Sequence, residues 1–402
     1  MPASSSSLSP LVATMTGADV PAEPLSAAQS IRLLQALSAV PDPRRRRGRR
    51  YSLQSILLIA VSAVLAGARS YAAIGDWAAV TRPAVGVCGR PPHAATIRRV
   101  LLAVDPVAVQ AALTAWALAN RNAQAAAAEH TSLPRNERRQ VLAIDGKNLR
   151  GARHRNGQQT QLLAVIDHTH RLVLTQTEIA DGNEIAAFVT ALDTLAQLRG
   201  CLITADALHT QRGHADYLIG RGAHYLFTVK ENQPTLRRAL AALPWRAAPK
   251  GSDPGSMRRH GRVESRTATV IDLEGTGVGK LFPGAARAMK LVRRRIDTAT
   301  GATSIETVYA ITSLGHRYAD TVLLATWLRG HWQIENTLHW VRDVTFGEDH
   351  SAVRTGAGPQ VMAALRNTAI NVSRLAGHTN IAAAQRHYSW TPGAAIEAVT
   401  AA

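Results

Sequence analysis

The sequence predicts an α/β fold that follows an all-helical segment and is interrupted by a basic insertion, and three observations carry that prediction. Up to about residue 128 the apolar residues recur at helical spacing. From about residue 140 the pattern becomes strand, strand, strand, helix, strand, helix, strand, with a tight polar turn folding the second and third strands into a hairpin. Residues 231–296 then lose apolar periodicity and hold 14 Lys plus Arg against 5 Asp plus Glu, a net of +9.

Composition bounds what such a fold can do. At 402 residues and 46% hydrophobic, the chain is long enough for two or three domains with real cores, which excludes disorder throughout. Lys plus Arg number 46 against 28 Asp plus Glu, an excess of +18 that points to a polyanion, nucleic acid ahead of ribosome or anionic membrane. GC-rich coding explains why only five of the 46 are Lys, but not the excess itself. Cys88 and Cys201 are too few for a disulfide framework or a thiolate zinc site. The apolar run 55–68 is about 14 residues, short of the roughly 18 to 20 that cross a bilayer. With no basic segment ahead of an apolar stretch at the N-terminus, a cytoplasmic protein is expected, without a membrane partner.

The elements follow in order. Residues 1–27, rich in Ser, Ala and Pro, read as a leader. A helical segment spans 28–128. Its first helix, with Ile31, Leu34 and Leu37 on one face, stops at Pro41 and Pro43, which cannot continue it. Arg44, Arg45, Arg46, Arg47, Arg49 and Arg50 come next, six arginines in seven residues that repel one another unless phosphates neutralise them. Helices at 53–68 and 71–80 precede a Pro/Gly-rich turn and a helix opening TIRR at Thr96, compatible with a helix-turn-helix reader. An Ala-rich helix at 107–128 leads to a polar linker, 129–138.

Strands are expected at 141–144, 161–166, 172–177, 201–205 and 225–229, helices at 183–198 and 210–220, and a returning strand at 309–314. The second domain so outlined spans 139–378, with its insertion at about 231–305. It closes with a long helix at 320–344 and another at 357–375, ahead of a less patterned tail, 379–402.

Three acids in this frame are hard to explain as structure. Asp145 and Asp206 each end an apolar run (VLAID, CLITAD), where the ends of sheet strands form ligand clefts. Glu335 lies within the long helix, whose Trp327, His331, Ile334, Leu338 and Val341 give a buried stripe, while His331, Glu335, His339 and Arg342 form a neighbouring polar column. Gathered carboxylates repel unless a cation compensates them, and an all-oxygen set suits Mg²⁺ or Mn²⁺. Two such ions about 3.5 to 4 Å apart clamp the attacking and leaving oxygens of a phosphodiester.

The segments AIDGKNLRGA (143–152), TADALHTQ (204–211), TVKENQPTL (228–236) and RGHWQIENTLHWVRDVTFGEDHSAVR (329–354) resemble the DDE transposases of the ISAs1 family of IS4-like insertion sequences. Residues 33–78 resemble the associated domain that precedes the catalytic domain there and in H-repeat proteins. The resemblance implies a ribonuclease H-like core, with Asp145 on the first strand, Asp206 after the fourth, Glu335 on a helix beyond a β-rich insertion, and two Mg²⁺ or Mn²⁺ ions between them. It implies double-stranded DNA as partner, both the element's terminal inverted repeats and the target, bound by a dimer or higher assembly. The reaction implied is metal-dependent nicking of the element's ends by water, then attack of the freed 3′-hydroxyl on target DNA. Lys230, Asn232, Gln233 and Arg342 are further candidates for DNA contact.

The wider IS4-type signature places Tyr, Arg, Glu and Lys on the last helix. Here Leu328 and His331 stand at the first two positions, Glu335 is kept and Arg342 replaces Lys. Neutral His offers one donor where Arg offers five, which puts phosphate gripping by His331 in doubt. A DNA-binding relative that has lost catalysis is the main alternative, although all three acids are present. A helical zinc site fails because His331 and His339 sit about 12 Å apart on a helix. An RNA-binding protein fails for want of aromatic-rich sheet motifs.

Overall fold

The computed structural model describes residues 27–47, 49–81, 90–129, 139–153, 157, 159–252, 257–259, 261–400 and 402. The expected leader up to residue 26, Cys88 and residues 130–138 of the expected linker lie outside them.

Among the described residues five helices come first: α1 (Ala27–Ser38), α2 (Leu53–Leu65), α3 (Tyr71–Val80), α4 (Ala94–Ala103) and α5 (Pro106–Glu129). Ser52 begins α2 by accepting a hydrogen bond from the Ser55 amide, and buried Ile56, Leu57, Ile59, Val61 and Val64 then surround the helix with core. Among the described residues no single helix is long and apolar enough to cross a membrane.

Ten strands form one sheet: β1 (Val141–Arg153), β2 (Gln159–Asp167), β3 (Val173–Glu178), β4 (Leu202–Ala205), β5 (His224–Val229), β6 (Lys250–Ser252), β7 (Met257–Arg259), β8 (Arg262–Asp272), β9 (Arg287–Asp297) and β10 (Thr303–Thr312). Their order is β3-β2-β1-β4-β5-β10-β9-β8-β6, with β7 also paired to β8. In the first five, β2 is antiparallel to both β1 and β3, while β1, β4 and β5 run parallel. This is the ribonuclease H-like arrangement that the motifs implied. β4 and the first half of β1 are buried on both faces, which explains their unbroken apolar runs.

Helices α6 (Glu184–Asp193) and α7 (Arg212–Gly220) follow β3 and β4, and α8 (Pro234–Ala241) follows β5. α6 ends earlier than expected: the Thr194 hydroxyl donates to the Ala191 carbonyl at 2.7 Å, and Leu195 and Leu198 reach the core from irregular chain. Among its described residues the insertion builds no sheet of its own. β10 pairs with β5 along 309–312 and with β9 along its whole length, so the core sheet runs on into a ribbon of β8, β9 and β10.

The late helix α9 (Thr321–His331) continues through π-helical turns at Glu335–His339 and Val341–Thr345. α10 (Gly358–Leu375) is buried nearly all round. Its Asn371 accepts from the Val173 amide and donates to the Val173 carbonyl, both at 2.8 Å, which satisfies β3 at the sheet edge. Residues 379–402, expected as a tail, instead form α11 (Ile381–Trp390) and α12 (Pro392–Thr400). Their buried Ile381, Ala384, Tyr388, Ile396 and Val399 are too widely spaced among Ala and Gly to stand out in the sequence. Most of them join one cluster that runs from Leu33 through α2 and α10 to Ala402.

Candidate active site

Strand pairing sets two of the acids side by side. β1 and β4 pair in parallel register from Val141 with Leu202 to Ile144 with Ala205, and one step further along each chain lie Asp145 and Asp206. β4 stops there, whereas β1 runs on to Arg153 beside β2 alone. Asp145 thus lies within its strand rather than at its end as expected, because beyond it β1 alternates buried Lys147 and Leu149 with exposed Asn148 and Arg150. Beyond that step the side of β1 that β4 had covered is, among the described residues, free of a strand neighbour.

Asp206 leaves β4 as the cap of a short 3₁₀ turn, its carboxylate accepting from the Leu208 amide at 2.9 Å. Asn232 and Gln233 brace the same turn, donating to the carbonyls of Ala207 and Thr210, the latter at 2.8 Å. One N–H of each amide thus helps to position the segment after Asp206, while Asn232 stays exposed. Lys230, one residue past β5, is exposed.

Glu335 opens the first π-helical turn, where the Trp340 amide donates five residues back to the Glu335 carbonyl. Its carboxylate accepts from Nδ1 of His339 at 3.1 Å, and the same nitrogen lies 3.6 Å from Oδ2 of Asp145. Asp145, Glu335 and His339 each bring one potential ligand atom within 4.8 Å of the other two. His339 is 4% exposed, and its Nε2 has no partner among the described residues. Burial holds the imidazole pKa below its usual value, so the ring is neutral near pH 7.

Burial, together with the carboxylates of Asp206 and Glu184, pushes the Asp145 carboxyl up to about 7. Glu335 is held below its usual range by the His339 hydrogen bond. Glu184, the first residue of α6, lies over Gly146 and accepts from Nε2 of His209 at 3.1 Å. Lys147 projects on the same side of β1 as Asp145 and sits 2.6 Å from Asp343.

Two members of the expected polar column point elsewhere. His331 is 3% exposed behind the site, its Nδ1 3.4 Å from the Thr204 hydroxyl, and burial lowers its pKa to about 4. A neutral, enclosed ring grips no phosphate. Arg342, expected to reach DNA, is fully buried and donates from Nε to Glu348 at 2.7 Å. The π-helical turns between them shift the phase of the helix and turn Arg342 inward.

The arginine run splits in function. Arg44 holds its own turn, donating to Asp42 at 2.8 Å and to the Tyr51 carbonyl at 2.9 Å, and Arg49 lies 3.4 Å from Asp42. Arg45, Arg46, Arg47 and Arg50 are exposed. The segment walls a groove of about 490 Å³ against Thr96 and Arg99 of α4.

The spacing pointed to Glu335 and His339 as neighbours, but not to Glu184, Lys147 or Asp343. Glu184 follows Asn183, whose side chain caps Ala186 at 3.1 Å, so in sequence it reads as an ordinary first-turn acid.

Two aspartates side by side on adjacent strands and a glutamate from a late helix, set on a ribonuclease H-like sheet, are the arrangement expected of a DDE transposase. The chain belongs to that family: residues 136–372 match the family described as Transposase DDE domain, and residues 34–117 match the DDE_Tnp_1-associated family. The family implies divalent metal ions, and the carboxylates of Asp145 and Glu335, gathered with His339 within 4.8 Å of one another, are donors that fit them. Among similar proteins, YbfL of Escherichia coli K12 is 29% identical over 364 residues, covering 85% of this chain and 90% of that protein. The protein named "H repeat-associated putative transposase YhhI", from the same strain, is 28% identical over 364 residues with the same coverage. A piggyBac transposase synaptic complex with hairpin DNA aligns at TM-score 0.40 and 10% identity, covering 94% of this chain and 82% of that one, too distant to bear on the site.

Proposed function

We propose that this transposase serves an ISAs1-type insertion sequence: it binds the element's terminal inverted repeats as double-stranded DNA, cuts there, and joins the freed 3′ end to target DNA. The observation that carries this reading is the meeting of Asp145 and Glu335 through His339, with Asp206 one strand over. Asp145, Asp206 and Glu335 would hold two divalent ions, Mg²⁺ or Mn²⁺. Such ions supply charge neutralisation at the scissile phosphate and make an attacking hydroxyl more acidic.

The protein's own part is placement. His339 keeps the Glu335 carboxylate turned toward Asp145. The turn braced by Asn232 and Gln233 fixes Asp206. Exposed Arg45, Arg46, Arg47 and Arg50 with Arg99, and Lys230 nearer the cleft, take DNA phosphates, and two or more protomers pair the element's ends. Asp145→Ala is expected to abolish Mg²⁺-dependent cleavage of an end-bearing duplex while leaving end binding within a few fold. Cleavage by that variant at the wild-type rate would overturn the assignment.

A further inference from the structure

We infer that Lys147 and Asp343 are a positioning pair for this site: their contact fixes where the late helix sits along β1, and so holds Glu335 against Asp145. The inference rests on the catalytic reading above and adds to it two residues that act through Asp145 and Glu335.

The first observation is one of register. Asp145 and Lys147 are two residues apart on β1 and share a face, about 7 Å along the strand. His339 and Asp343 are four apart on the helix, about 6 Å along its axis. The two steps match, so two rungs join strand and helix. In one, Nδ1 of His339 lies 3.6 Å from Oδ2 of Asp145; in the other, Nζ of Lys147 donates to Oδ2 of Asp343 at 2.6 Å. The π-helical turns make the second rung possible. In an α-helix each step of four drifts about 40° around the axis, which would set Asp343 about 80° away from Glu335. Turns closed five residues back, from Trp340 to Glu335 and from Phe346 to Val341, hold more residues and take up that drift. Glu335, His339 and Asp343 thus face the same strand.

The second observation is that little else fixes this register. From Asp145 onward β1 is paired with β2 alone among the described residues. The helix buries Ile334, Leu338 and Val341, and apolar burial is non-directional: it favours contact without setting a lengthwise position. An ion pair does set one. The Lys147 side chain is 8% exposed and Asp343 is its sole partner among the described residues, so a slip of the helix along β1 would leave a buried ammonium unpaired. The same slip would draw Glu335 away from Asp145.

The test uses purified full-length protein carrying Lys147→Met, Asp343→Asn, both together, Lys147→Arg or Asp145→Ala. Single-turnover cleavage of an end-bearing duplex is read alongside binding of that duplex, Mn²⁺ affinity by electron paramagnetic resonance without DNA, and thermal unfolding. The double variant decides, because it removes one charge of each sign and leaves the net charge unchanged. It is expected to cleave about tenfold or more slowly and to bind Mn²⁺ several-fold more weakly, since small misplacements of reacting groups are costly. End binding and the unfolding temperature should stay near wild type, because neutral groups can replace a buried ion pair at little cost. A pair serving stability alone would instead lower the unfolding temperature and spare the cleavage rate. The double should lose no more rate than the worse single, as one shared contact is removed, and Lys147→Arg should keep more cleavage than Lys147→Met. Wild-type cleavage or wild-type Mn²⁺ affinity in the double variant would overturn the inference. Should the double fail to fold, Asp343→Asn decides in its place, and wild-type cleavage there overturns it equally. If that occurs while Asp145→Ala is inert, only the role of the pair falls; wild-type cleavage by Asp145→Ala would remove the catalytic reading itself.

Discussion

Glu348 stands between two arginines, accepting from Nε of Arg342 at 2.7 Å and from Nη1 of Arg366 at 2.8 Å, with all three side chains buried. Burial alone would raise its pKa, but the two guanidiniums outweigh it and hold the carboxyl at about 2. A carboxylate whose folded pKa lies below its ordinary 4.5 stabilises the fold above that value, and the contribution is lost as pH falls toward 2. Urea unfolding should therefore show stability declining through this acid window, and less steeply in Glu348→Gln. At neutral pH the same variant should be less stable by about 3 to 5 kcal/mol, because it leaves two buried cations uncompensated. Undiminished stability would mean that the pair relaxes toward water. Glu348 thus anchors the far end of the helix that carries Glu335.

Among the elements, that helix was the least legible. Apolar spacings of 4 and 3 describe an α-helix, and widened turns leave the same spacings, so the phase change that buries Arg342 could not be seen in advance. The central strands were legible because burial on both faces leaves contiguous apolar runs. The ribbon was not, since β9 and β10 are largely half-buried or exposed beyond their inner ends, and no alternation marks them. The approach of α9 to the sheet is set at Gly330, where a Cβ would lie 2.6 Å from Nδ1 of His168. Gly330→Ala is expected to cost about 1 to 3 kcal/mol, measurable in urea, by pushing the helix off β1 and β4. Its end cleavage should fall with it, since Glu335 rides on the same helix; an unchanged unfolding midpoint would show that His168 swings aside freely.

For the whole molecule, the polar stretch at 129–138 reads as a boundary, yet the helices before it share one hydrophobic cluster with α10, α11 and α12. Such contacts join residues hundreds of positions apart, and no local pattern records them. The N-terminal helices also reach the site's helix directly: Arg69 donates to the Thr345 carbonyl at 3.0 Å, where the π-helical turns end. A fragment beginning at residue 139 would expose α10 along the face that α2 covers. It is expected to be insoluble or to bind a hydrophobic dye as a loosened state, whereas the full chain unfolds cooperatively. A soluble fragment with a sharp thermal transition would show that the catalytic half stands alone.

The ribbon that leaves the core sheet through β10 has a length that can be set against DNA. β8 and β9 are each 11 residues long, and at about 3.3 Å per residue each spans about 36 Å, one helical turn of duplex DNA. Because side chains alternate with a period of two, lengthening or shortening the ribbon by pairs of residues moves its tip by about 7 Å, roughly two base pairs, without exchanging its faces. Relatives with ribbons of other lengths would differ in reach in whole steps of this size, while the paired strands that carry Asp145 and lead to Asp206 stay in register.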